Sequence, residues 1–249
     1  LNRINVFPVP DGDTGSNLAS TLGSVLQGAL SRRSRHIGEL LVRIGNDAID
    51  GARGNSGAIM AQFLVGLAEQ ARNAPVLDAG SLAAAVRRGA DSARSALAQP
   101  VEGTILSVIS AFADALEEAA RQHGGDPRNG FASALLHARR ALADTPRQMA
   151  VLQRAGVVDA GAQGFVDWLE GIAEYVEGGP RGLRLRGGVP AAANDADAPA
   201  HVHEDVDPAR RYCTECLVTG EAIDRDALRA MLLASGIDSL VVAGSGSRV

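Results

Sequence analysis

The chain has 249 residues and a mass of 25.6 kDa, room for one large domain or for one domain and a smaller unit. Hydrophobic residues make up 46% and charged residues 21%, as in a folded protein with a sizeable core, and basic minus acidic is 24 − 29 = −5, without the basic excess of a nucleic-acid binder. All 24 basic residues are Arg. The lack of Lys excludes a Walker A loop, a protein-kinase β3 Lys and a Schiff-base Lys, so a bound triphosphate would have to be neutralised by metal ions, helix N-termini or Arg.

The amino terminus, Leu1-Asn2-Arg3-Ile4-Asn5, has no apolar signal-peptide core and no initiator Met, so a trimmed native start is expected. Residues 1–15 are turn-rich, with Pro8 and Pro10 ahead of Asp11-Gly12-Asp13-Thr14-Gly15. Apolar residues then recur at i, i+3, i+4 spacing, which predicts helices over about 16–31, 36–50, 56–73, 80–98, 103–122, 130–144 and 163–177. Gly, Pro and Asp clusters such as Gln99-Pro100 and His123-Gly124-Gly125-Asp126-Pro127 read as the breaks between them. The pattern makes residues 1–178 one all-α domain, a helical bundle or barrel. Residues 179–210, rich in Gly, Ala, Asp and Pro, read as a linker. Residues 211–249 read as the incomplete start of a small α/β unit: a strand over 213–219, a helix over 224–235 and a strand over 239–243. No 18-residue apolar run occurs, so no integral membrane segment is expected, and two cysteines are too few for a disulfide scaffold; a cytoplasmic location is the default expectation.

Four loop-to-helix junctions carry chemistry. In Pro8-Val9-Pro10-Asp11-Gly12-Asp13-Thr14-Gly15-Ser16-Asn17 two carboxylates stand at i and i+2. Such a loop can aim both at one hard cation, and Mg²⁺, bound by one or two carboxylates plus phosphates, suits it better than an EF-hand. The EF-hand pattern fails because Ser16 holds the sixth position and Leu22 the twelfth. Thr14, Ser16 and Asn17 add polar groups at a helix start, where phosphate is favoured. An Asp-Gly turn with a helix cap is the competing reading. Gly51-Ala52-Arg53-Gly54-Asn55-Ser56-Gly57 is a second anion-site candidate, or a plain turn capped by Ser56. Val158-Asp159-Ala160-Gly161-Ala162-Gln163-Gly164 and Pro100-Val101-Glu102-Gly103-Thr104 repeat the form more weakly, with Asp159 and Glu102 open to reading as caps. In an up-and-down bundle these junctions can gather at one end, which would make a Mg-nucleotide site without Lys. His201, His203, Cys213 and Cys216 lie close enough for a Zn²⁺ site, or are strand cysteines beside a solvated His pair; Cys213 and Cys216 would fall on opposite faces of a strand.

These strings, in this order and together with Tyr212-Cys213-Thr214-Glu215, resemble the ATP-binding subunit of bacterial fatty acid kinases. The first domain of that subunit is similar to the L subunit of dihydroxyacetone kinases. The resemblance implies an α-helical barrel holding ATP and two Mg²⁺ at one end. Asp11 and Asp13 match the metal-binding, catalytic carboxylates, and Asn5 falls near a third ligand that is Asp in the dihydroxyacetone kinases. Thr14, Ser16, Asn17, Gly54, Asn55, Ser56 and Gly57 match phosphate-contacting loops, and Asp159 and Gly161 match a later loop on the nucleotide. Cys213 matches a Zn²⁺ ligand of the middle domain whose histidine partners would lie beyond Val249, so the site is expected to be incomplete here, and Cys216 is not counted as a ligand. The implied reaction moves the γ-phosphoryl group of ATP to a fatty acid carboxylate presented by a separate fatty-acid-binding protein. The implied assembly is a homodimer, and the fragment alone is expected to be catalytically incompetent. A dihydroxyacetone-type kinase and a non-catalytic nucleotide-binding module are the alternatives.

Overall fold

A computed structural model of the chain describes residues 1–32, 34–123, 126–179, 214–237 and 240–244. A 3-10 turn, Asn2–Ile4, precedes α1 (Thr14–Ser31), α2 (Ile37–Gly51), α3 (Gly54–Ala71), α4 (Ala79–Ala96), α5 (Ile105–His123), α6 (Pro127–Gln148), α7 (Ala150–Ala155) and α8 (Ala160–Gly178). After the undescribed stretch comes α9 (Arg225–Ala234). Consecutive long helices pack side by side from α1 to α6; α6 then packs on α8, and α8 on α1. That last contact closes the helices into a ring, the mainly α, barrel-like domain expected from the apolar periodicity.

α3 is the most buried member, with a continuous run from Ile59 to Ala68 shielded from solvent. A helix apolar all round belongs in a core. Aromatic side chains join it to the far side of the ring: Phe63 of α3 meets Phe165 of α8 edge to face at 5.5 Å, and Phe165 stands 6.1 Å from Phe112 of α5. Phe112 in turn meets Phe131 of α6 at 5.4 Å. On the rim, Arg87 of α4 reaches Glu117 of α5 at 3.0 Å and also bonds Asp114.

Several local expectations change. The break expected at 123–127 separates α5 from α6, but α6 starts three residues earlier than expected: the Asp126 carboxylate accepts from the Arg128 N–H at 3.0 Å, and Pro127 occupies the first turn, where a missing N–H costs nothing. α6 also continues through Pro146, two residues past its expected end. Pro146 cannot donate to the Leu142 carbonyl, and the Thr145 hydroxyl does so instead, at 2.8 Å. The short α7, unforeseen from periodicity, is closed by Gly156 at φ 67°.

Beyond the ring, α9 forms as expected over 224–235, with Asp224 as its cap. The expected strands do not form among the described residues. Residues 214–219 are exposed, and residues 240–244 pair instead with the exit of α4. There Ala98 N–H donates to the Leu240 carbonyl at 3.1 Å, and Val242 N–H to the Ala96 carbonyl at 2.9 Å. Gly244 N–H then reaches the buried Gln62 side chain of α3 at 2.6 Å, and the Gln62 amide donates to Ser92 Oγ of α4 at 2.6 Å. The end of the described chain is therefore docked on the helical ring. The expected linker, 179–210, lies outside the described residues apart from Gly179, as do His201, His203 and Cys213.

Candidate functional site

The up-and-down order of the ring places the starts of α1, α3, α5 and α8 together. At the junction of α1 and α3, Gly54 holds φ +59°, and a Cβ there would stand 2.3 Å from Asn17 Nδ2, so only glycine lets the two helix starts approach this closely. Between α3 and α8, a Cβ on Gly161 would stand 3.0 Å from Ser56 Oγ. Between α5 and α8, the Asp159 carboxylate accepts from the N–H of Ile105 at 3.1 Å and of Ala162 at 2.8 Å. The junctions read separately from the sequence thus share one end of the domain.

Beside them lies the acidic turn. Asp13 immediately precedes α1, and its side chain is within hydrogen-bonding reach of Asp11. Both are exposed, while Asn5 beneath them is 3% exposed and donates its amide N–H to Asp11 Oδ1 at 2.7 Å. Desolvation within the turn, and then the neighbouring Asp13 charge, push the Asp11 carboxyl above its ordinary value. Two carboxylates pressed together are a fit for a divalent cation, whose charge relieves their repulsion and whose preference is for oxygen ligands. A third acidic or histidine ligand is not at hand: among the described residues no group of three or more His, Cys, Asp or Glu could hold a metal. Asp11, Asp13 and the Asn5 side chain are the donors available, and substrate oxygens would have to complete the shell.

The helix starts are not equally available to an anion. At α1, Asn2 Oδ1 accepts from the N–H groups of Gly15 at 2.6 Å and Ser16 at 3.2 Å, and its amide donates to Ser16 Oγ at 3.0 Å. The α1 start, with Ser16, is capped from within the chain; Thr14 is buried and Asn17 lies against Gly54. Asp159, 5% exposed, does the same for α5 and α8 at once, and its own N–H donates to Thr145 Oγ1 at 3.1 Å. Burial pushes its carboxyl up to about 6, against the pull of its N–H donors. Its geometry is that of a group that positions two helices. Glu102 is tied to the Ser107 hydroxyl and to Arg94 at 2.6 Å; these partners, the hydroxyl first, hold it below the usual carboxylate range, and of the two expected readings it is the solvent-facing acid.

At α3, as at α1, the N-cap residue makes no side-chain cap bond. Arg53 at the cap position turns its guanidinium onto the Ala52 carbonyl at 2.6 Å. The Gly54 N–H donates instead to the carboxylate of Glu215, 161 positions later. Asn2 and Glu215 are the two residues of this end that local sequence reasoning passes over. Asn2 lies 13 and 14 positions before the N–H groups it caps and carries no spacing signal, and Glu215 belongs to a recognisable string but acquires a role only through the fold. Among the described histidines, His36 starts α2 at the opposite end, where Ile37 N–H meets the Pro75 carbonyl at 3.2 Å. It is half-buried rather than a plain surface residue, with Nδ1 unpaired. His137 is exposed on α6, and Cys216 is an exposed free thiol.

The DAK2 domain model matches residues 8–174, two thirds of the chain and nearly the whole helical ring. The chain belongs to the DAK2 domain family. The family is kinase-related, and DhaL-type domains of this kind bind ATP or ADP. The chain is also similar to uncharacterized proteins of Staphylococcus aureus, among them those of strains bovine RF122 / ET3-1, USA300 and N315, at 32% identity over 97% of its length. It spans 45% of the length of those relatives. Among the described residues no helix is long and apolar enough to cross a membrane.

Proposed function

We propose that this DAK2 chain is the ATP-binding part of a kinase that phosphorylates a fatty acid carboxylate, held by a separate fatty-acid-binding protein, to an acyl phosphate. The observation that carries the nucleotide reading is the gathering of the α1, α3, α5 and α8 starts beside the Asp11–Asp13 pair. Asp11 and Asp13, with Asn5, would hold Mg²⁺, two ions by the family resemblance; bound there, Mg²⁺ supplies charge neutralisation to phosphate oxygens. The uncapped start of α3, with Gly54, Asn55, Ser56 and Gly57, offers backbone N–H donors to a phosphate. Phosphoryl transfer asks mainly for positioning and charge, which a chain without Lys supplies through its backbone and acidic turn.

The acceptor follows from what this end lacks. A hydroxyl acceptor calls for a general base, whereas a carboxylate is already a nucleophile at neutral pH. No described histidine stands at the gathered end, which favours the carboxylate over a dihydroxyacetone-type substrate. A cytoplasmic homodimer, and a Zn²⁺ site including Cys213 in the longer protein, complete the proposal.

The test is calorimetric titration with ATP-Mg. Loss of an outer-shell partner alone costs about 10–100-fold in metal affinity, so removing a direct ligand in Asp11→Ala or Asp13→Ala is expected to weaken binding at least as much, and chelation of Mg²⁺ to do the same to the unsubstituted chain. Unchanged binding in both variants would overturn the site. Product analysis of the full-length protein, with carrier-bound fatty acid against dihydroxyacetone, decides the acceptor.

A further inference from the structure

We propose that Glu215 is an internal stand-in for the ligand's phosphate, occupying the start of α3 and leaving when nucleotide binds. The proposal rests on the nucleotide reading above but concerns regulation of that site.

Four observations converge on it. The start of α3 lacks a cap of its own, and the anion found on its first N–H is a carboxylate brought from 161 residues away. The positive end of a helix dipole favours such a charge, and a phosphate is favoured for the same reason. Residues 214–222 around Glu215 are exposed, and Glu215 makes the one described hydrogen bond from this stretch to the helical ring. The flank beyond is anchored: Arg225 bonds Ser95 Oγ at 3.3 Å, Arg229 bonds the Ser95 carbonyl, and residues 240–244 pair with the exit of α4.

The anchored flank beyond it and the exposure of residues 214–222 allow Glu215 to withdraw without disturbing the ring. The seat is the same one the phosphate would use, at a helix start pressed against Asn17 of α1. The one described bond of the Glu215 carboxylate is to the Gly54 N–H, a donor that a phosphate would use. It therefore competes with the ligand rather than helping to hold it. A triphosphate carries several charges against its one, so the contact lowers apparent affinity without abolishing binding.

The experiment compares the unsubstituted chain with Glu215→Ala and Glu215→Gln. All three should fold, because the side chain is exposed. Removing a charged hydrogen-bond competitor is expected to tighten ATP-Mg binding about tenfold in Glu215→Ala, with Glu215→Gln in between because it keeps an acceptor but no charge. Hydrogen exchange at the amides of residues 54–56 is a second readout, independent of nucleotide; it should quicken about tenfold in Glu215→Ala without ligand. Equal or weaker ATP-Mg binding in Glu215→Ala, or unchanged exchange at 54–56, overturns the proposal. If no variant binds ATP-Mg while exchange at 54–56 does quicken, the nucleotide reading fails and the carboxylate is only a cap.

Discussion

Replacing Asp159 tests whether it acts by holding two helices together. Its Oδ2 accepts from Ile105 of α5 and Ala162 of α8, in a site 5% exposed. In Asp159→Ala both buried N–H groups lose their acceptor. At about 1–3 kcal/mol each, that is about 2–6 kcal/mol of lost stability. A second effect opposes it. The carboxyl rises from 3.8 to about 6 on folding, because burial disfavours its charge. The folded chain thus holds this proton more tightly than the unfolded chain. The contribution to stability is full below pH 3.8 and is lost as pH rises through about 6, by about 3 kcal/mol in all at about 1.4 kcal/mol per pH unit. Asp159→Asn separates the two effects, since Asn caps helices as well as Asp does but does not titrate. The stability of Asp159→Asn relative to the unsubstituted chain is expected to rise by about 2 kcal/mol between pH 4 and 6.5 and to level off above about pH 7. Urea unfolding followed by the fluorescence of Trp168, the sole tryptophan, which stacks 5.8 Å from Phe165, measures it. A difference that stays flat across that range would refute the buried, ionising carboxylate. A loss below about 1 kcal/mol in Asp159→Ala at pH 4 would refute the bridge.

Phe165→Ala removes a fully buried ring that touches Phe63, Phe112 and Trp168, and should cost about 3–5 kcal/mol, seen as a melting temperature lower by roughly 10 °C. Gln62→Leu leaves the Gly244 N–H without its acceptor; faster hydrogen exchange confined to residues 240–244 and the start of α4's exit is expected, with α5 and α6 unchanged. Asn2→Ala strips the cap from α1 and should lower stability by about 1 kcal/mol in urea unfolding.

The helices were legible because each buries one face, and burial leaves a 3.6-residue trace in the sequence. Their meeting at one end was also within reach, since alternating helices in a ring must bring every second start to the same side. What escaped was decided by single side chains acting across the fold. Asp126-Pro127 marked the break before α6, but its carboxylate cap and the fixed φ of proline place the start at Pro127 rather than near 130. Thr145 carries α6 past Pro146 by lending a hydroxyl to the Leu142 carbonyl, which no propensity records. Residues 239–243 have the β-branched character of a strand, and among the described residues Leu240, Val241 and Val242 pair with the exit of α4. Of the candidate site, the residue types were readable and their division of labour was not.

That division narrows where a ligand's phosphate can sit. Four helix starts meet, and each brings free N–H groups that must find an acceptor. Residues of the helical domain answer three of them: the exposed Asn2 covers α1, and one buried Asp159 covers α5 and α8. The starts capped by the buried Asp159 have little left to offer an anion. The fourth, α3, is met by a carboxylate on an exposed stretch, which, like the exposed Asn2 cap, can be exchanged. A protein without Lys must bind a triphosphate through acceptor-hungry backbone and metal-binding carboxylates. By that logic the start of α3, packed against Asn17 of α1, is the seat we propose for the phosphate.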